Sequence, residues 1–212
     1  MSKSTNKSIF LVLSSLIASL SATQALAVEL LQGRTITGAK VASNDPLAVM
    51  EYDPNLNITW LRDWNKNGPM NWSTAKTWAA NLTVGAFGGW ALPTTSPDGC
   101  GGYNCTNSPM GYMYYVELGN AASSGMNNIG PFQNVQTLQN PYYWTSTITI
   151  DPVYAWYFHT GVGFQSGFSV SSTSLYAVAV RPGDVAPVPE STTLAMFMTG
   201  LAGISLLRKI RS

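Results

Sequence analysis

Charge is scarce in this chain: only 10% of its 212 residues are Asp, Glu, Lys or Arg, and five of the cations, Lys3, Lys7, Arg208, Lys209 and Arg211, lie near the two ends. Between residues 28 and 187 six basic side chains stand against nine acidic ones, a balance of −3. No basic run there is long enough to neutralise a row of phosphates, which excludes nucleic acid and disfavours sulfated polyanions as partners. Histidine occurs once, as His159, so neither a catalytic triad nor a histidine metal pair can be assembled, and a structural role on a strand is expected for it. Cysteine occurs twice, as Cys100 and Cys105, in a Gly-rich loop. Two thiolates and one distant imidazole leave a tetrahedral metal site a ligand short, whereas an exported chain would close such a pair into a disulfide.

Apolar residues make up 45% of the chain, which excludes disorder, and Gly, Asn, Ser, Thr and aromatics are abundant, as in exported β-rich domains. The length allows one ordinary domain plus targeting segments, and no internal repeat is evident. Residues 1–27 have the parts of a secretory signal: Lys3 and Lys7, an apolar core from Ile9 to Leu20, and a small-x-small cleavage site at Ala25 and Ala27. At the other end, a linker at 184–192 precedes an apolar run at 193–207 and a basic tail at 208–212. About 15 apolar residues are marginal for a bilayer that wants about 20, but the Pro-rich spacer before them and the basic cluster after them favour a transmembrane segment with its basic end in the cytoplasm.

Residues 28–46 show no sustained period and read as an irregular entry segment to a domain at 47–183. Leu47–Tyr52 and Ile58–Leu61 flank the turn formers DPNLN and predict a hairpin. Ala75, Trp78, Ala79 and Leu82 recur at helical spacing, with Asn71 or Ser73 as N-cap and Gly85, Gly88 and Gly89 as the stop. Ser108-Pro109 opens a second helix with Tyr112, Tyr115, Val116 and Gly119 on its buried side. Four β-prone runs follow, Tyr142–Ile150, Tyr154–Thr160, Val162–Val170 and Leu175–Arg181, too closely spaced for parallel crossovers. The fold class is therefore α+β, with two short helices packed on antiparallel sheet.

Two resemblances sharpen this. The tail, with Val188-Pro189-Glu190, an apolar run and then Arg208, Lys209 and Arg211, resembles the PEP-CTERM sorting signal of Gram-negative bacteria, although Ser191 stands where that signal usually has a second proline. The resemblance implies an exosortase-type sorting enzyme as partner and a place in the cell envelope or extracellular matrix. The body, over residues 49–183, resembles the C-terminal domain of the Legionella collagen-like protein (Lcl). The patches are Trp60-Leu61 with Asp63, Trp72 with Ala75 and 78–82, Trp90 to Thr94, Tyr143 to Ser146, Ala155 to Tyr157, and Ala179 to Arg181. Ala91 replaces the usual Arg, and the cysteine loop replaces the acidic residue that commonly follows. This resemblance implies a C-type-lectin-like fold. The family's named member adheres to sulfated glycans through a basic surface that this chain lacks.

For catalysis the candidates are carboxylates. Asp63, Asp98, Glu117 and Asp151 offer no spacing that brings two together as a glycosidase pair. Asp63, Asn65 and Asn67, followed by Gly68, have the start of a calcium loop, but Thr74 occupies the twelfth position where a bidentate Glu is needed. A turn held by Asp and Asn side chains is the favoured reading, with calcium as the alternative and no other cofactor implied. Trp72, Trp78 and Trp90 are assigned to the core and the loop aromatics to solvent. The expected function is a non-catalytic surface module binding a neutral glycan or matrix component at Tyr103, Phe132, Phe164, Gln165 and Asp98; the alternative is an enzyme acting on extracellular polysaccharide.

Overall fold

The computed structural model describes residues 30–95 and 99–185. The expected signal and cleavage site, the linker from residue 186, the sorting motif, the apolar run and the basic tail lie outside these, as does Asp98. Among the described residues no helix is long and apolar enough to cross a membrane.

The hairpin forms as its sequence suggests. Strands β3 (Met50–Asp53) and β4 (Ile58–Leu61) pair antiparallel, and Asp53 turns the chain by accepting from the amides of Asn55 and Leu56, both at 3.0 Å. Asn57 takes the left-handed conformation, φ 51°, which Asn tolerates better than most residues.

The stretch before the hairpin is not irregular. It supplies β1 (Gln32–Arg34) and β2 (Lys40–Val41), and with β8 (Val180–Pro182) these complete a five-stranded antiparallel sheet in the order β2-β1-β3-β4-β8. The domain therefore begins before residue 47. Two contacts that no local pattern reveals hold the added edge. A Cβ at Gly33 would sit 2.5 Å from the Ala42 carbonyl oxygen, so only glycine permits that approach. Arg34, 3% exposed, donates to both carboxylate oxygens of Asp184 at 2.8 and 2.6 Å, tying β1 to the far end of the chain.

Helix α1 spans Trp72–Asn81, and of the two candidate caps Asn71 is used, its side chain accepting from the Thr74 amide at 2.9 Å. Asn71→Ala should cost about 1 kcal/mol, measured as a shift in the urea midpoint, while Ser73→Ala should be close to neutral. The glycines do not stop this helix: Leu82 is already extended, at ψ 136°. Nor are its tryptophans buried. Ala75 and Ala79 make the core contact, while Trp72 and Trp78 remain half-exposed. Trp72 lies under the Lys76 ammonium at 4.4 Å and donates its indole N–H to the Thr145 carbonyl at 2.8 Å. Small residues let the helix approach closely, which leaves the larger rings at its flanks.

Ser108 caps α2 (Pro109–Tyr112) by accepting from the Gly111 amide at 3.2 Å, and a π-helical turn, Met113–Glu117, follows directly. The face that this pair buries is Met110, Gly111, Met113, Tyr114 and Leu118, not the expected Tyr112, Tyr115, Val116 and Gly119. An extra residue in a turn shifts everything after it around the axis, which 3.6-residue periodicity does not anticipate.

Strands β5 (Tyr142–Ile148), β6 (Tyr154–His159) and β7 (Phe164–Ser169) form a second antiparallel sheet of three, so the described residues build two sheets rather than one. The last expected strand is mostly irregular: only Val180 to Pro182 joins the first sheet, while Leu175 and Tyr176 make isolated bridges to Met70 and Tyr143. The core lies where the two sheets and the π turn meet. Trp60 stacks on Trp64 with centroids 5.7 Å apart, Trp64 meets Tyr143 of β5 edge-on at 5.5 Å, and Tyr114 meets Phe158 of β6 at 5.6 Å.

Candidate aromatic binding face

Residues directly opposite one another in an antiparallel pair project to the same side of the sheet. In the three-stranded sheet Tyr142 opposes His159, His159 opposes Phe164, and Tyr157 opposes both Trp144 and Ser166, while Phe168 stands two residues along β7 from Ser166. One side of the sheet thus carries Tyr142, Trp144, Tyr157, His159, Phe164 and Phe168. The rings touch: Tyr157 stacks on Phe168 at 4.4 Å, and Tyr142 packs edge-on against Tyr157 at 5.3 Å, Phe168 at 5.4 Å and His159 at 4.4 Å. Trp144 and Tyr157 are buried beneath, but Tyr142, His159, Phe164 and Phe168 keep part of their surface in solvent. The three strands contain no Asp, Glu, Lys or Arg.

The disulfide loop extends this face by one ring. Cys100 and Cys105 are bonded, with Cα atoms 5.8 Å apart. The backbone of Gly102 exchanges hydrogen bonds with that of Gln165, at 2.7 and 2.9 Å, so the loop lies along the free edge of β7. Tyr103, 45% exposed, then meets Phe164 edge-on at 5.0 Å. On the opposite side of the sheet Gly101 passes over Trp156, close enough that a Cβ would touch the indole at 3.4 Å.

Of the five residues expected to bind ligand, the structure brings Tyr103 and Phe164 together at the surface and removes two others. Gln165 is fully buried: it points to the core side, accepts from the Ser108 hydroxyl at 2.9 Å and donates to the Cys100 carbonyl at 2.6 Å. Its amide clamps the cysteine loop to the second helix. Phe132 is 3% exposed, packed at 4.9 Å from Trp64 and 6.3 Å from Trp60. Its polar loop is not free, because the Gln133 amide donates to the Arg62 carbonyl at 2.8 Å and Arg62 donates through Nε to the Pro131 carbonyl at 2.8 Å. Those bonds force the intervening ring inward. Asp98, the fifth, lies outside the described residues.

Phe168 is one of the aromatics that the Gly-rich GVGFQSGF segment leads one to expect at the surface, whereas nothing in the sequence singles out Tyr142 and Tyr157. YAWYFH is aromatic at four of its six positions, so alternation is invisible within it and only the strand register separates the two faces.

The calcium-like loop is arranged as a side-chain-held turn. Asp63 accepts through one oxygen from the Asn65 amide and from the Asn134 side chain, both at 3.0 Å, and Gly68 takes φ 69°. Among the described residues no three acidic, histidine or cysteine side chains gather as a metal site. The loop borders a cavity of about 270 Å³ whose walls include Leu61, Leu82, Val84, Arg62 and Lys66. His159 sits at the end of β6, where burial lowers the pKa of its imidazole from the ordinary histidine value.

Two carboxyls are buried in the first sheet. Glu51 and Asp53 alternate with Tyr52 on β3 and are both fully inaccessible. Neither Glu51 oxygen has a hydrogen-bond partner; Arg62 Nε is nearest at 3.6 Å. Burial outweighs the guanidiniums of Arg62 and Arg34 and pushes Glu51 up to about 8. Asp53 is also raised by burial, against the two turn amides that stabilise its charge.

Compared with known proteins, the chain matches no family model and no curated protein.

Proposed function

We propose that this protein is an exported, non-catalytic surface module of the cell envelope or exopolysaccharide layer, with a C-type-lectin-like domain that binds a neutral glycan on the aromatic face of its three-stranded sheet. The observation that carries the reading is the composition of that face: partly exposed rings, hydroxyls from Tyr103, Tyr142 and Ser166, and no formal charge on any of the three strands. Sugar rings offer flat C–H faces that stack on aromatics and hydroxyls that bond to neutral polar groups, while a sulfated chain would need cations that these strands lack. The resemblance of the tail to an exosortase signal supports the envelope location, and the body's resemblance to the Lcl C-terminal domain supports an adhesive role.

The test is a glycan array of neutral and sulfated oligosaccharides probed with the exported protein, followed by Tyr103→Ala and Phe168→Ala on the best binder. Loss of one stacking ring should weaken binding about tenfold while leaving the melting temperature within a few degrees. Preference for sulfated glycans would overturn the neutral-ligand assignment. Release of reducing sugar from a bound polysaccharide would put an enzyme in its place.

A further inference from the structure

A second cleft, away from the aromatic face, opens between the start of β1 and the end of the π turn. It has a volume of about 390 Å³, apolar walls that include Leu31, Leu118 and Pro131, and polar groups from Ser43, Asn128 and Glu117. Glu117 is the one ionisable side chain lining it. The carboxyl accepts a hydrogen bond from the Asn55 side chain at 2.8 Å, and among the described residues no Lys or Arg pairs with it.

The local backbone is built to place this group. In the π turn the Leu118 amide reaches back to the Met113 carbonyl at 3.0 Å, and the Asn120 amide to that of Tyr114 at 3.0 Å. The longer repeat turns Glu117 and Leu118 onto the cleft while Met113 and Tyr114 stay in the core, and π turns of this kind recur at functional sites. Burial, with the Asp53 carboxyl nearby, pushes Glu117 up to about 7, as befits a carboxyl with no cation beside it. A half-buried carboxylate that is the one ionisable group of its cleft is completed by a positive charge on a ligand whose body can cover the leucines.

We propose that this cleft binds a primary ammonium group carried on a compact ring, the chemistry of an amino sugar with a free amine, with Glu117 as its counter-ion. The apolar walls cover the C–H face of the ring, and Ser43 on the cleft wall offers a hydroxyl to the ring's own hydroxyls. This assignment does not depend on the aromatic face.

Calorimetric titration of the full-length exported protein at pH 7.5 with the linear trimer of glucosamine, and separately with its fully N-acetylated counterpart, decides it. The free-amine trimer should bind at least about tenfold more tightly, because acetylation removes the charge. Glu117→Gln should erase that preference, and Glu117→Asp should keep much of it. Equal binding of the two trimers, binding of neither, or a preference that survives Glu117→Gln would each overturn the proposal. If Glu117→Gln fails to fold, the comparison of the two trimers on the unmodified protein together with Glu117→Asp still decides.

Discussion

Replacing Trp60 with alanine should lower the unfolding free energy by about 3–5 kcal/mol, a large fraction of the roughly 5–15 kcal/mol that holds a typical domain folded. Trp60 is fully buried, stacks on Trp64 at 5.7 Å and meets Phe132 at 6.3 Å. Its removal would empty the point where β4, the turn after it and the polar loop at 129–133 converge, and the neighbouring rings are too rigid to collapse into the space. Trp78→Ala, at a half-exposed site on α1, should cost markedly less. Urea unfolding followed by far-ultraviolet circular dichroism, which does not depend on the tryptophan removed, measures both. Equal losses at the two sites would show that the core is centred on α1 instead.

Glu51→Gln should change how stability depends on pH. The carboxyl has an ordinary value of 4.5 and is pushed up to about 8 in the folded chain. Between these values the folded state holds a proton that the unfolded state has released, so stability falls as pH rises through this window and is greatest below it. At the alkaline end the loss is of order 4 kcal/mol. Glutamine keeps the shape and cannot ionise, so the variant should be nearly matched to the parent at pH 5 and clearly more stable at pH 9. Chemical denaturation at the two pH values reads the difference, and parallel losses in both proteins would mean that Glu51 is ionised and paired with Arg62 throughout.

Glu51 also marks a limit of reading this chain residue by residue. Nothing in VMEYD says that a glutamate and an aspartate on an alternating strand both point inward, because alternation assigns one face to solvent and this sheet is covered on both. The same holds for the edge strands. Arg34 looks like an ordinary surface cation until Asp184, 150 residues away, is placed beside it.

The local choices of the fold are legible in the sequence. The hairpin follows from Asp53, Pro54 and Asn57, which hold a turn with their own side chains and backbone preferences. Helix α1 starts at an Asn cap, the second helix starts at Ser108-Pro109, and the short spacing of β5, β6 and β7 permits only antiparallel pairing. The disulfide follows from two cysteines five positions apart in a Gly-rich loop. Each depends on interactions within a few residues, which is why it is legible.

Tertiary structure decided which side of each element is buried, and with it the candidate site. Phe132 and Gln165 have the same local character as Phe164 and Tyr103, being set among Gly, Asn and Ser, yet the first pair is held inside by bonds to Arg62, Ser108 and Cys100. Tyr142, Tyr157 and Phe168 meet only because two strand registers bring them to one face, and Glu117 faces its cleft only because a π turn adds a residue that no periodicity announces. Such placements arise from contacts between residues distant in the chain, whose energies no local pattern encodes.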